Sequence, residues 1–306
     1  MVSTIKQRTI KNSVAISGIS LHGGERVELT LRPAEPNTGV IFYRTDLSGS
    51  IGIPAKAEYV SETTLQTVLK NQSAKIGTVE HLLSALAGLG IDNVIVEVTA
   101  GELPIMDGSS APFVFLIQSA GIVEQDALKR FIKIKKPIKV VVNDKWASLE
   151  PYDGFRVTFT IDFDHPVLQA TDQHCVFDFS CEKYLKEVSR ARTFGFVSGL
   201  EKLREMGLAK GGGLDNAVGL DDYRILNDNG LRFEDEFIKH KILDAIGDLY
   251  LLSAPLIGAY EGFKSGHAVN HQLCMELLKN QEAWDYVTFA GHEQDAVEFM
   301  KLQVVE

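Results

Sequence analysis

Cysteine is scarce. Cys175, Cys181 and Cys274 are the three present. So small and odd a number excludes a disulfide-stapled scaffold and points to reduced thiols in a cytoplasmic protein. Long apolar runs are also lacking. The uncharged apolar stretch Leu249 to Tyr260 is 12 residues, against about 20 needed to cross a bilayer. Met1 to Ile10 has no apolar segment, so no secretory signal is read there. Positive charge is in deficit, with 31 Lys and Arg against 41 Asp and Glu and a formal charge of −10. A general nucleic-acid binder needs a basic face to displace counterions, so that class is excluded. A local basic pocket for one anionic ligand is still compatible with this charge. What is there is ordinary globular material: 306 residues, 45% hydrophobic and 24% charged. At about 150 residues per domain, that is enough for two.

The first third reads mainly as strands. Val27, Leu29 and Leu31 alternate with Arg26, Glu28, Thr30 and Arg32, the period-2 pattern of a half-buried strand. Gly23-Gly24 before it marks a turn. Leu82, Leu83, Leu86 and Leu89 have helical spacing, with Thr78 as the expected N-cap and Gly90 as the expected C-terminal stop. Val94 to Val98 follows as a strand. Charge clusters between Gly121 and Arg130, and a boundary is placed there, giving domains 1–125 and 126–306. Ile132 to Val142 is then expected as one strand, and Val157, Phe159, Ile161 and Phe163 alternate with polar neighbours. Helices are expected over Tyr184–Arg192, Gly199–Met206, Phe237–Leu252 and His271–Lys279, while the tail after Glu293 carries no signal. Strands followed by helices, twice over, predict an α+β fold of two halves, each a sheet covered by helices on one face.

The most informative segment runs from Asp235 to Tyr250. His240, Asp244 and Asp248 stand at i, i+4 and i+8, one slowly drifting face of a helix. Ile238, Ile242, Leu243, Ala245, Ile246 and Leu249 flank that face, so the stripe lies in a cleft or is buried. A buried carboxylate is costly unless it is paired or bound to a metal. Spacing alone leaves open a metal-ligand pair or a simple His–Asp helix pair. Glu80-His81 opens the first-half helix. A Glu beside a ligand His is a general-base arrangement of zinc hydrolases, but the two-His helix motif is absent. A carboxylate serving the helix dipole is the alternative.

Lys264-Ser265-Gly266-His267 offers a cation for a phosphate and an acid or oxyanion partner, or else is a surface loop. In Ser189 to Phe196, the Thr193 hydroxyl could reach an oxyanion, or the segment simply ends a helix. Gly211-Gly212-Gly213 lacks a P-loop ending and reads as a close-approach or flexible loop. Phe163 could stack on a base or fill the core, and His22 is a weaker candidate in its glycine-rich turn. His174, Cys175 and Cys181 are too loosely spaced for a zinc site.

Seven blocks together carry a resemblance. They are Ser17 to Gly24, Thr78-Val79-Glu80-His81, Leu89 to Asn93, Pro104 to Ser109, Ser189 to Phe196, Arg232 to Leu249 and Lys264 to His267. In this order the chain resembles the UDP-3-O-acyl-N-acetylglucosamine deacetylases, zinc amidases of lipid A biosynthesis in Gram-negative bacteria. The resemblance implies two similar α+β domains, sheet and helices in layers, with the active site at their interface. It implies one Zn²⁺ (or Fe²⁺) per chain, held by His81, His240 and Asp244. Glu80 would be the general base, His267 the charged partner or acid, Asp248 its orienting carboxylate and Thr193 an oxyanion donor. Lys241, Lys264 and Phe163 would face the nucleotide-sugar. Phe194, Phe196 and Leu200 would line an acyl passage built by an insert reaching Ala217, although its glycines leave its width open. The implied partner is an acylated UDP-amino sugar, met by a cytoplasmic monomer working near the inner membrane surface without an anchor. Three ligands leave a position for water, whose pKa falls to about 7 on zinc. Two competing readings are an amidohydrolase of another acetylated amide and a non-catalytic acyl or nucleotide-sugar binder.

Overall fold

A computed structural model describes residues 4–290. The tail after Glu293 lies outside the described residues. In the first half, strands Val14–Ile19, Arg26–Pro33, Val94–Val98, Val40–Arg44 and Ile53–Pro54 form a five-stranded sheet in that order. Val27, Leu29 and Leu31 turn into the core and their charged neighbours out, so period-2 patterning sets the register. Helices α1 (Glu80–Leu89) and α2 (Ala111–Ala120) supply the covering layer. Gly90 ends α1 at φ 66°, a left-handed stop open to glycine at no steric cost. Thr78 is not the N-cap. It sits at φ 53°, Val79 precedes the helix, and the Thr78 hydroxyl donates to Gln66 and Glu102.

The second half holds a seven-stranded mixed sheet. Helices α3 (Val197–Glu205), α4 (Glu236–Leu249) and α5 (His267–Lys279) belong to it. The stretch expected as one strand is two, Arg130–Ile134 and Ile138–Val142. Pro137 lies between them, and proline has no N–H for a ladder. The charged segment read as a boundary is itself a strand, Ile122–Leu128, paired antiparallel with Lys6–Ile10. The segment expected as a helix from Tyr184 is one α turn, Cys181–Lys183, then a π-helical turn ending at Val188. At the crossing into the second half, Lys129 is 1% exposed. Its ammonium donates to Gly90 O at 2.8 Å and pairs with Asp92 at 2.8 Å, capping the negative end of α1. One continuous apolar core spans both halves, and no described helix is long and apolar enough to cross a membrane.

Candidate active site

α1 and α4 cross where no side chain intervenes. A Cβ on Gly247 would lie 2.1 Å from the Glu80 carbonyl oxygen, so glycine is what lets the two backbones approach this closely. The crossing sets Glu80 and His81 of the first half against the His240–Asp244–Asp248 stripe of the second. All five are buried, none more than 4% exposed.

His81 Nε2 and His240 Nε2 lie 3.5 and 3.4 Å from one oxygen, Asp244 Oδ1. The donor atoms of the three side chains fall within 4.8 Å of one another. His240 Nδ1 is 3.0 Å from Ala191 O. A carbonyl only accepts, so Nδ1 carries the proton and Nε2 keeps its lone pair. Burial drives the His240 pKa down to about 3, leaving the ring neutral at pH 7. Against the upward push of burial, His240 and Lys241 hold the Asp244 carboxyl well below its usual range. Lys241 pairs with Asp244 Oδ2. Among the described residues, Asp244 Oδ1 and His81 Nδ1 are buried without a hydrogen-bond partner, which is uncommon in a folded interior. Two imidazoles and a carboxylate oxygen with a free lone pair are a chemically fitting donor set for a divalent ion with open positions.

Beside this group, His267 Nδ1 donates to Asp248 Oδ2 at 2.9 Å, and its Nε2 lies 3.8 Å from Glu80 Oε1. Burial alone would lower the His267 pKa, but Asp248 and Glu80 raise it to about 9, so the ring is charged at pH 7. Burial pushes the Glu80 carboxyl pKa up, against the downward pull of His267 and His81. His267 is not in a loop: it is the first residue of α5, which begins four residues before the expected His271.

A family model for UDP-3-O-acyl N-acetylglycosamine deacetylase, LpxC, matches residues 7–279. The chain belongs to the LpxC family. It is 59% identical over 297 residues to the UDP-3-O-acyl-N-acetylglucosamine deacetylase of Hahella chejuensis, covering 97% of this chain and 98% of that one. It is 61% identical over 285 residues to the Legionella pneumophila protein of the same name, covering 93% and 94%.

Phe163, Phe194 and Phe196 meet as one aromatic cluster, with Phe163 5.7 and 6.0 Å from the other two rings. Phe194 is 6.4 Å from the His240 ring, so the cluster leads away from the His–His–Asp group. Leu200 is half-buried on α3, a helix with no fully buried residue. Thr193 is half-buried, its amide donating to Gly108 O at 2.8 Å. Lys264, by contrast, pairs with Asp144 at 2.8 Å and Asp162 at 3.0 Å, two exposed carboxylates. The glycine loop is a close approach, since a Cβ on Gly211 would lie 2.2 Å from Ser20 O. His22 is buried in that contact. Its Nδ1 accepts from the Ala209 amide at 3.3 Å, and its Nε2 has no hydrogen-bond partner among the described residues.

Several supporting residues had no sequence signal. Asn270 donates to Asp248 Oδ2 at 2.9 Å, and Tyr260 and Ser265 donate to its Oδ1, which fixes its amide. Glu236, fully buried, accepts from the Arg192 guanidinium and from the backbone amides of Arg192 and Arg232. That pair anchors the chain one residue from the Ala191 carbonyl bonded to His240. Thr67 is 2% exposed and touches two carboxylates, Glu80 and Asp248.

Proposed function

We propose that the chain hydrolyses the N-acetyl group of a UDP-3-O-acyl-N-acetylglucosamine to the free amine and acetate, using one Zn²⁺ held by His81, His240 and Asp244. The observation that carries this is the meeting of that three-donor group with the Glu80–His267–Asp248 set at the crossing of α1 and α4. The ion, when bound, lowers the pKa of water and polarises the amide carbonyl. Glu80 accepts the proton of the attacking water, a role its raised pKa suits. His267, kept charged by Asp248, and the Thr193 hydroxyl stabilise the developing oxyanion. Glu80 or His267 then delivers a proton to the leaving amine.

In this reading the aromatic cluster of Phe163, Phe194 and Phe196, with Leu200 on α3, receives the acyl chain and the near side of the nucleotide-sugar. Lys241 and Lys264 supply positive charge for the diphosphate. Lys264 would leave Asp144 and Asp162 to do so. The three cysteines, all free, suit a cytoplasmic chain, read here as a monomer. Acetate release from this substrate is the test. Loss on chelation and recovery with added Zn²⁺ is expected. No release from folded, metal-loaded protein would remove the substrate assignment.

A further inference from the structure

Thr67 lies between the two carboxylates that flank His267. Its backbone N–H donates to Glu80 Oε2 at 3.0 Å, and its hydroxyl donates to Asp248 Oδ1 at 2.7 Å. Glu80 therefore has one oxygen committed to Thr67, while the other, Oε1, faces His267 Nε2. Asp248 has Oδ1 committed to Thr67, with Oδ2 taking His267 and Asn270. The two carboxylates come from different helices in different halves, and one residue sets the rotation of both. Thr67 itself is well held. It is 2% exposed, its carbonyl accepts from the Val79 amide, and Val68, 3% exposed, begins the strand Val68–Asn71.

A carboxylate turns freely about its terminal torsion unless both oxygens are engaged. The catalytic geometry needs Glu80 Oε1 on the reacting side and Asp248 Oδ2 on the imidazole. We infer that Thr67 is a positioning residue for this reaction, its amide orienting Glu80 and its hydroxyl orienting Asp248 so that His267 is held between them. The inference rests on the deacetylase reading above.

Thr67→Val keeps the shape and the amide but removes the hydroxyl, and Thr67→Ser keeps both hydrogen bonds. In the full chain loaded with zinc, T67V is expected to lower kcat by about tenfold, the scale of one hydrogen bond to a charged group. KM and zinc content stay at the wild-type level. T67S is expected to recover kcat to within about twofold, a difference too small to represent a lost charged hydrogen bond. Because Thr67 acts through Asp248, T67V placed on Asp248→Asn should add less than the same loss again. Wild-type kcat in T67V, a T67S as impaired as T67V, or fully additive losses with D248N would each overturn the inference. Thr67→Ala run in parallel decides the same question should T67V not fold. A wild-type protein that binds zinc and releases no acetate would instead remove the deacetylase reading, and this inference with it.

Discussion

The contact between Gly247 and the Glu80 carbonyl gives a sharp test of how the site is assembled. In Gly247→Ala the new Cβ would start 2.1 Å from that oxygen, 2.9 Å from its carbon and 3.1 Å from the Glu80 Cα. Ordinary contact begins near about 3.4 Å, so α1 and α4 must separate by about 1 Å. Overpacking of this kind costs about 1–3 kcal/mol. Replacing glycine in a helix interior returns about 0.5–1 kcal/mol, so the net loss of stability is about 0–2.5 kcal/mol. The effect on chemistry is larger, because the separation moves Glu80 and His81 away from His240 and Asp244. A displacement of about 1 Å in a catalytic group costs on the order of 10²-fold in rate. The assay is kcat for acetate release, measured with bound metal and Tm on the same preparation. A large drop in kcat and weakened metal retention with only a modest fall in Tm is expected. A G247A protein with wild-type kcat and metal affinity would refute the claim that this crossing sets the site.

Four further outcomes follow from the site and its supports. Glu80→Gln is expected to keep its metal and lose at least about 10²-fold in kcat; near-normal turnover would move the base elsewhere. His267, with a pKa raised to about 9 against about 6.5 unfolded, contributes stability that is complete below pH of about 6.5. That contribution is lost as pH rises through about 9, and kcat should fall over the same alkaline range. Asp248→Asn should move the alkaline limb of kcat to lower pH, and an unmoved limb would show that Asp248 does not hold the proton. Glu236→Ala leaves the Arg192 guanidinium buried without its carboxylate, a change worth about 3–5 kcal/mol. Denaturant unfolding should show the loss, and an unchanged midpoint would mean that the pair is dispensable.

Much of the site was legible because its signals are local. The spacing of His240, Asp244 and Asp248 placed them on one face of a helix, and α4 puts all three in the interface. Periodicity likewise gave strand Arg26–Pro33 and helix α1 nearly to their ends. What was missed depends on distant parts of the chain. Thr67 and Asp248 are 181 residues apart, and the partner of His240 is a backbone carbonyl that any residue could supply. The early start of α5 was hidden because His267 and Asn270 carry polar groups used by the site, which breaks the apolar period. The break at Pro137 was visible as a residue, but Ile132, Ile134, Ile138 and Val140 keep a period of two across it.

The division of the donor set between α1 and α4 also bears on how the molecule assembles. Synthesis delivers Glu80 and His81 long before His240 and Asp244 leave the ribosome, so the nascent first half holds only one imidazole of the three donors. On the proposed ligand set, tight ion capture would therefore be a late event, needing both helices brought together at the Gly247 contact. On the proposed reading, an ion held by His81, His240 and Asp244 would tie the two halves together, and opening the interface would also break its coordination. Affinity for the metal and cohesion of the halves are in this way a single linked quantity. Substitutions far from the chemistry that loosen the docking would then surface first as faster metal exchange.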